Sequence, residues 1–137
     1  MILWVNTISN WEFFRIEIGD NRDYGAWVSG GELSLVTYNK DIVCETGTNY
    51  VSFLGEGIDI GKASNFTPEN HSYTISSSSY DTWKGKSGYV GFTFSINGEV
   101  HYGWFYLTVA IDGLSYTIKE YAYNSIAGAP IRTERNY

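Results

Sequence analysis

Hydrophobic and polar residues alternate along residues 89–96, 99–111 and 114–124, which is the pattern of successive β-strands with two different faces. Asn97-Gly98 separates the first two segments and Asp112-Gly113 separates the last two. Both dipeptides are preferred in two-residue type I′ turns, whose central residues need positive φ. The pattern therefore predicts a three-stranded antiparallel meander with two tight hairpins.

The turns also predict the register of the meander, because each hairpin pairs residues that are equally distant from its turn. In the first hairpin the predicted pairs are Ile96–Glu99, Phe94–His101, Phe92–Gly103, Gly91–Trp104, Val90–Phe105 and Tyr89–Tyr106. In the second hairpin they are Ile111–Leu114, Val109–Tyr116, Leu107–Ile118, Phe105–Glu120, Trp104–Tyr121 and Tyr102–Tyr123.

Strict alternation of side chains gives this meander one mostly apolar face and one aromatic face. The predicted core face carries Val90, Phe92, Phe94, Ile96, Phe105, Leu107, Val109, Ile111, Leu114, Tyr116 and Ile118. The opposite face carries Tyr89, Tyr102, Trp104, Tyr106, Tyr121 and Tyr123. Aromatic rows of this kind suit sugar rings, whose C–H faces stack on π-surfaces. Cross-strand packing of the rings, or coverage by the amino-terminal strands or a neighbouring subunit, are the alternatives.

The rest of the chain also reads as short strands joined by turns. Strand segments are predicted near residues 2–6, 11–18, 24–29, 32–39, 42–46, 49–54 and 72–77. Long loops are predicted at segments 61–72 and 76–88, where they cross between sheets or build a surface site. We expect a single all-β domain over residues 1–137, a two-sheet antiparallel β-sandwich of jelly-roll or Greek-key type, with a closed barrel as the alternative.

Composition narrows the classes of partner. The net charge is −6 and the sequence has no cluster of lysine and arginine, which argues against nucleic acid. Cys44 is the only cysteine, so we expect a buried small hydrophobe and no disulfide. No membrane span is predicted. Residues 1–5 are apolar but too short for a signal peptide, so if the protein is exported we expect this chain to be the mature domain with an added Met.

A set of motifs in residues 89–131 resembles a known module. The motifs are Tyr89-Val90-Gly91-Phe92, Tyr102-Gly103-Trp104, Glu120-Tyr121-Ala122-Tyr123 and Gly128-Ala129-Pro130-Ile131. The chain is similar here to a carboxy-terminal β-sandwich module of secreted and surface proteins of bacteria, which has no established activity. The resemblance implies an exported β-sandwich, and it implies no catalytic residue.

Candidate catalytic and metal-binding groups are few. Glu12 and Glu17 lie five residues apart on a strand, hence on opposite faces, and do not form the carboxylate pair of a glycoside hydrolase. The register places Glu99, His101 and Glu120 on the core face, where we expect Glu120 to bond backbone, a hydroxyl or His101. Asp20 and Asp23 could supply oxygens to a structural calcium ion. His71, in a loop, and His101 are too separated for a histidine metal site. No other cofactor is predicted, and because none of these groups forms a catalytic arrangement, no enzymatic activity is predicted.

Two functions remain as hypotheses. The first is a non-catalytic, secreted or cell-surface binding module for an extracellular glycan or surface polymer. It would use the aromatic face, together with Trp83 in the second long loop, and it predicts that Trp104 or Trp83 is exposed to solvent. The second is a structural or adhesive domain that self-associates through its aromatic surface and strand edges.

Overall fold

The architecture comes from a computed structural model, which describes residues 7–9, 12–14, 24–37, 41–67, 72–96 and 98–135. In chain order the strands of these ranges are β1 (Thr7–Ser9), β2 (Glu12–Phe14), β3 (Tyr24–Ser29), β4 (Glu32–Thr37), β5 (Ile42–Val43), β6 (Asp59–Ile60), β7 (Phe66–Thr67), β8 (Ser72–Ser76), β9 (Ser87–Ile96), β10 (Glu99–Val109), β11 (Ser115–Tyr123) and β12 (Ile131–Arg132). Within the described ranges there is no helix, so the all-β prediction is confirmed.

The strands form three antiparallel sheets. The largest has six strands in the order β1-β11-β10-β9-β5-β7, the second has four in the order β2-β3-β4-β8, and the third pairs β12 with β6. None of the three closes into a barrel, which leaves the arrangement consistent with the predicted sandwich.

One core lies between the six-stranded and the four-stranded sheets. It joins apolar side chains of β4 and β8 to those of β9, β10 and β11, and its fully buried members include Leu33, Leu35, Ile75, Phe92, Phe105 and Leu107. We call the face of the six-stranded sheet that contributes to this core the inner face. The opposite face of that sheet is the outer face.

The first hairpin has the predicted register. Every predicted pair between β9 and β10, from Glu99 opposite Ile96 to Tyr106 opposite Tyr89, is present in the ladder. Gly98 adopts a φ of 81°, the positive value that the tight turn requires. The alternation therefore places Phe92 and Phe105 on the inner face, with Trp104 on the outer face.

The second hairpin departs from the prediction because β11 contains a bulge. Val109 pairs with Tyr116 and Leu107 with Ile118 as predicted, but Tyr106 then pairs with Glu120, so Lys119 is an extra residue in β11. One extra residue turns every following side chain to the other face. The predicted pairs Phe105–Glu120, Trp104–Tyr121 and Tyr102–Tyr123 are therefore wrong. The observed pairs are Phe105–Tyr121, Trp104–Ala122 and Gly103–Tyr123.

The connection between β10 and β11 is also longer than a two-residue turn. Ala110 accepts a hydrogen bond from the amide of Gly113 and donates one to the carbonyl of Ser115, which leaves residues 111–114 as a loop. Ile111 is 90% exposed and Leu114 is 36% exposed. Their predicted positions in the core are wrong, because both lie in this loop beyond the last ladder pair.

The outer face is covered by two chain segments that meet at the small sheet of β6 and β12. Ile60 and Ile131, which pair with each other in that sheet, pack with Val43, Tyr89 and Trp104 in a second apolar cluster. Thr133 links the two segments of this cover by hydrogen bonds. Its hydroxyl donates to the carbonyl of Gly55 (2.7 Å) and accepts from the amide of Ile58 (2.8 Å). The six-stranded sheet is therefore packed on both faces.

Other strand predictions had mixed outcomes. Residues 49–54, predicted as a strand, make only isolated bridges at Tyr50, Val51 and Leu54. The strands β1, β6, β7 and β12 were not predicted, and β7 lies inside a predicted loop. The predicted strand at 2–6 lies outside the described residues.

Candidate functional site

The centre of the predicted aromatic face is buried. Trp104 is 1% exposed, and its indole Nε1 donates a hydrogen bond to the carbonyl of Arg132 (3.0 Å). Tyr89 packs edge-on against Trp104, with 5.1 Å between ring centroids, and against Tyr106 at 4.9 Å. The expectation that Trp104 is exposed to solvent is wrong, because the β6–β12 cover lies over it.

Trp83 is also buried. Its relative exposure is 0%, its Nε1 donates to the carbonyl of Val51 (3.0 Å), and Phe53 packs edge-on against it at 4.6 Å. The indole anchors the loop after β8 to the core. The expected solvent exposure of Trp83 is therefore wrong as well.

The bulge in β11 removes two tyrosines from the outer face. Tyr121 contacts Phe105 on the inner face, with 6.4 Å between ring centroids, and is part of the main core. Tyr123 packs edge-on against Phe94 at 5.1 Å. Of the predicted aromatic row, the outer face keeps Tyr89, Tyr102, Trp104 and Tyr106.

The same bulge turns Glu120 to the outer face, opposite to the prediction. Its carboxylate is fully buried, and Oε1 accepts a hydrogen bond from Nε of Arg135 at 2.8 Å. The Arg135 guanidinium also lies 4.2 Å from the centroid of the Tyr106 ring. Among the described residues, Oε2 of Glu120 has no hydrogen-bond partner. Glu120 thus holds the carboxy-terminal segment on the sheet.

Glu99, His101 and Glu120 do not come together as the sequence predicted. His101 stays on the inner face, where it stacks on Phe94, and its Nδ1 lies 2.8 Å from the carbonyl oxygen of Asn124. Glu99 is exposed at the start of β10, while Glu120 lies on the other face. The lack of enzymatic activity stays a prediction.

The outer face has three half-buried rings, Tyr106 under Arg135 and the pair Tyr102 and Phe66. Tyr102 stacks on Phe66, with 5.9 Å between centroids and 29° between ring planes. Tyr102 lies on β10, two residues before Trp104, and Phe66 lies on the edge strand β7, where it pairs with Val43 of β5. The strands β9 and β5 lie between β10 and β7 in the sheet, so the two rings meet across the outer face.

Phe66 also lines a groove of about 430 Å³ beside β7. The groove is lined by Gly47, Thr48, Asn49, Asn65, Phe66 and Thr67. Apart from the ring, these residues offer small, uncharged polar groups. Such a combination of an aromatic surface with a few placed polar groups is typical of small-molecule and sugar sites.

Hydrogen bonds fix the walls of this groove. The Asn65 side-chain amide donates to the carbonyl of Cys44 (2.7 Å), and the Thr67 hydroxyl donates to the carbonyl of Thr48 (2.9 Å). The Thr48 hydroxyl in turn donates to the carbonyl of Glu45 (2.8 Å) and accepts from the amide of Tyr50. The two segments that form the groove are therefore tied to each other and to β5.

Buried acidic groups next to the groove are held in their neutral forms. Burial, with a smaller contribution from the Glu45 carboxylate, raises the pKa of the Cys44 thiol to about 11. Burial and the Asp41 carboxylate raise the pKa of the Tyr73 hydroxyl well above its usual range. The Tyr73 hydroxyl donates to the carbonyl of Thr67 (2.9 Å). Neither group is poised to act as a nucleophile or base at neutral pH.

The candidate calcium ligands Asp20 and Asp23, like His71, lie outside the described residues. In the described ranges, no group of three or more histidine, cysteine or acidic residues is placed to hold a metal ion. The part of the chain that the structure covers contains no helix that is long and apolar enough to cross a membrane.

The described residues thus form an all-β protein with a half-exposed stack of two rings, Phe66 and Tyr102, on the outer face of the six-stranded sheet. No protein-family model, no curated protein and no solved structure matches the chain. Sequence reasoning identified Tyr102 and predicted that the 61–72 loop could build a surface site, but it did not single out Phe66. The signal was available, because Phe66 is the only aromatic residue of that loop.

Proposed function

We propose that this protein is a non-catalytic module that binds an extracellular glycan in the groove beside β7. The observation that carries the proposal is the half-buried Phe66–Tyr102 stack at the border of an uncharged polar groove. The proposal keeps the binding class inferred from the sequence but moves the site from the buried centre of the aromatic face to its rim. It includes a secreted or cell-surface location, which the resemblance to bacterial surface modules supports.

The chemistry of the groove suits a sugar. An aromatic ring attracts the C–H face of a pyranose, while amide and hydroxyl groups bond its hydroxyls. Phe66 supplies such a ring. The Asn49 and Asn65 side chains supply such polar groups, because among the described residues each uses only its Nδ2 in a hydrogen bond. A volume of about 430 Å³ falls in the range of ligand sites, roughly 300–1,000 Å³.

The experiment is a binding titration of a panel of soluble oligosaccharides by calorimetry. Phe66→Leu and Tyr102→Leu keep apolar side chains at both positions but remove the flat rings. We expect each variant to weaken binding about tenfold, which is roughly 1.4 kcal/mol. Tyr106→Leu is the matched control, since Tyr106 is a half-buried tyrosine on the same strand and face but packs under Arg135.

Two results would contradict the proposal. One is a panel of neutral, acidic and amino oligosaccharides without any measurable binding to the wild-type protein. The other is binding that Phe66→Leu and Tyr102→Leu leave unchanged in folded protein, as judged by thermal denaturation. Either result would assign the stack to packing alone.

A second candidate function, self-association, is favoured by a separate observation. Ile111 and Leu114, both in the loop between β10 and β11, expose apolar side chains to solvent. Exposed apolar clusters commonly mark contact surfaces between proteins. Light scattering over a range of concentrations tests it, with Ile111→Asp as the variant that should abolish any assembly. A strict monomer at all concentrations would eliminate this candidate.

A further inference from the structure

We propose that a pocket beside the β6–β12 cover is a second binding site, which takes a small apolar molecule that carries a carboxylate. The inference goes beyond the proposed function, because this pocket and the groove beside β7 have no described lining residue in common. It is carried by an apolar interior with a lysine and two backbone amides at the rim, none of which has a partner among the described residues.

The interior of the pocket is apolar. Its volume is about 360 Å³, within the range of ligand sites, roughly 300–1,000 Å³. Val43 and Ile60, both buried in the second apolar cluster, line it together with the half-buried Leu54. Ile58 also lines it and is 44% exposed. A ligand with an apolar body would therefore remove exposed apolar surface from water.

Hydrogen bonds and close packing fix the walls of the pocket. In the turn of residues 61–64, the amide of Ser64 donates to the carbonyl of Gly61 (3.0 Å), and the Ser64 hydroxyl accepts from the Gly61 amide (2.9 Å). A Cβ at Gly61 would lie 3.1 Å from Cβ of Pro130, so the turn packs closely on the carboxy-terminal segment. The carbonyl of Ile58 accepts from the amide of Thr133 (2.8 Å) in that segment. A ligand thus meets a preformed pocket and loses little affinity to ordering of the protein.

Positive groups at the rim favour an anion. Lys62 lines the pocket, is exposed, and forms no ion pair with any described residue. The backbone amides of Lys62 and Ala63 donate no hydrogen bond to a described residue, and successive amides in a turn are typical anion-binding groups. Among the described lining residues the one carboxylate is that of Asp59, whose Oδ1 lies 3.7 Å from Nη1 of Arg132. The charge of Lys62 is therefore the one left for a ligand.

The overall charge of the chain works against an anion. The net charge is −6, which repels acidic molecules in general. An acidic ligand that binds more tightly than its neutral analogue would therefore do so through the local groups at the rim. Because Lys62 is open to solvent, we expect the gain of a surface ion pair, about a twofold to fivefold increase in affinity.

The experiment is an NMR titration with three probes that have similar alkyl chains and different head groups: octanoate, octanamide and octylammonium. The amide shifts of Val43, Ile60 and Ala63 report on the pocket. We expect octanoate to bind about twofold to fivefold more tightly than octanamide, and octylammonium to bind most weakly. Added salt should reduce the difference between octanoate and octanamide.

Two variants test the two parts of the site. Lys62→Gln should bring the affinity for octanoate close to that for octanamide, and Lys86→Gln is the matched control, since it removes the same charge from an exposed lysine that does not line the pocket. Ile58→Ala should weaken the binding of all three probes by a similar factor. Ile126→Ala, at an exposed isoleucine outside the pocket, should weaken none of them.

Three results would overturn the inference. One is a set of titrations without shifts at Val43, Ile60 and Ala63. Another is octanamide or octylammonium bound as tightly as octanoate. The third is a preference for octanoate that Lys62→Gln lowers no more than Lys86→Gln does, since Lys62 would then not be its source. None of these results bears on the groove beside β7, which the oligosaccharide titration tests by itself.

Discussion

Replacement of Arg135 by alanine should destabilise the protein strongly, because it leaves the Glu120 carboxylate buried without its counter-charge. Glu120 is fully buried, and Nε of Arg135 is 2.8 Å from its Oε1. Removing one partner of a buried ion pair costs about 3–5 kcal/mol. The Arg135 side chain is 21% exposed, so water reaches this pair and the lower limit applies. The contact of the guanidinium with the Tyr106 ring adds roughly 0.5–1 kcal/mol.

The assay is urea denaturation, with the midpoint and the slope both measured. We expect Arg135→Ala to lower the free energy of unfolding by about 3.5–4 kcal/mol with an unchanged slope. Glu134→Ala, at the exposed neighbouring residue, is the control and should change it by less than about 0.5 kcal/mol. The double variant Glu120→Met with Arg135→Met should lose less than Arg135→Ala, since it leaves no buried charge.

An Arg135→Ala variant as stable as Glu134→Ala would refute this reasoning. Glu120 would then be solvated in the native protein, and the carboxy-terminal segment would not pack over the outer face. A double variant that is less stable than Arg135→Ala would contradict the argument in another way. It would mean that the attraction within the ion pair exceeds the free-energy cost of removing its two charges from water.

Three further changes probe the same packing. Gly103→Ala should cost about 2 kcal/mol or more in thermal denaturation, because the new Cβ would clash with the ring of Phe92 and with the carbonyl oxygen of Ala122. Gly55→Ala, in open space, should be neutral in that assay. Thr133→Val should cost about 1–3 kcal/mol in urea denaturation, because the carbonyl of Gly55 and the amide of Ile58 both lose their hydrogen-bond partner. Cys44 should resist iodoacetamide at neutral pH until urea is added, and stability should fall between pH 9.0 and about 11, where the unfolded thiol has ionised and the folded one has not. Rapid labelling of the native thiol, or a Gly103→Ala variant as stable as Gly55→Ala, would contradict the described core.

The local pattern of residues 87–109 was sufficient to predict the first hairpin. Alternation and an Asn-Gly turn act over a few residues, and the ladder has the predicted pairs. The bulge at Lys119 was not predictable in the same way, because no residue type marks it. It is set by packing, since it puts Tyr121 into the main core beside Phe105 and leaves the small Ala122 opposite Trp104.

The cover over the outer face could not be predicted from the alternation of hydrophobic and polar residues either. The strands β6 and β12 have two residues each, which is too short for an alternation to be recognised. Their contact joins residues 59–60 to residues 131–132, and only the three-dimensional fold brings these segments together. For the same reason the sequence identified Tyr102 as a ligand-binding candidate but not its stacking partner on β7.

The central claim is that sugar binding occurs at the rim of the outer face and not over its buried centre. Mapping amide chemical shifts by NMR during titration with a soluble oligosaccharide tests it most directly. We predict that the shifts concentrate at Thr48, Asn65 and Phe66, with little change at the Trp104 indole. Shifts centred on Trp104, or a spectrum that no oligosaccharide alters, would contradict the claim.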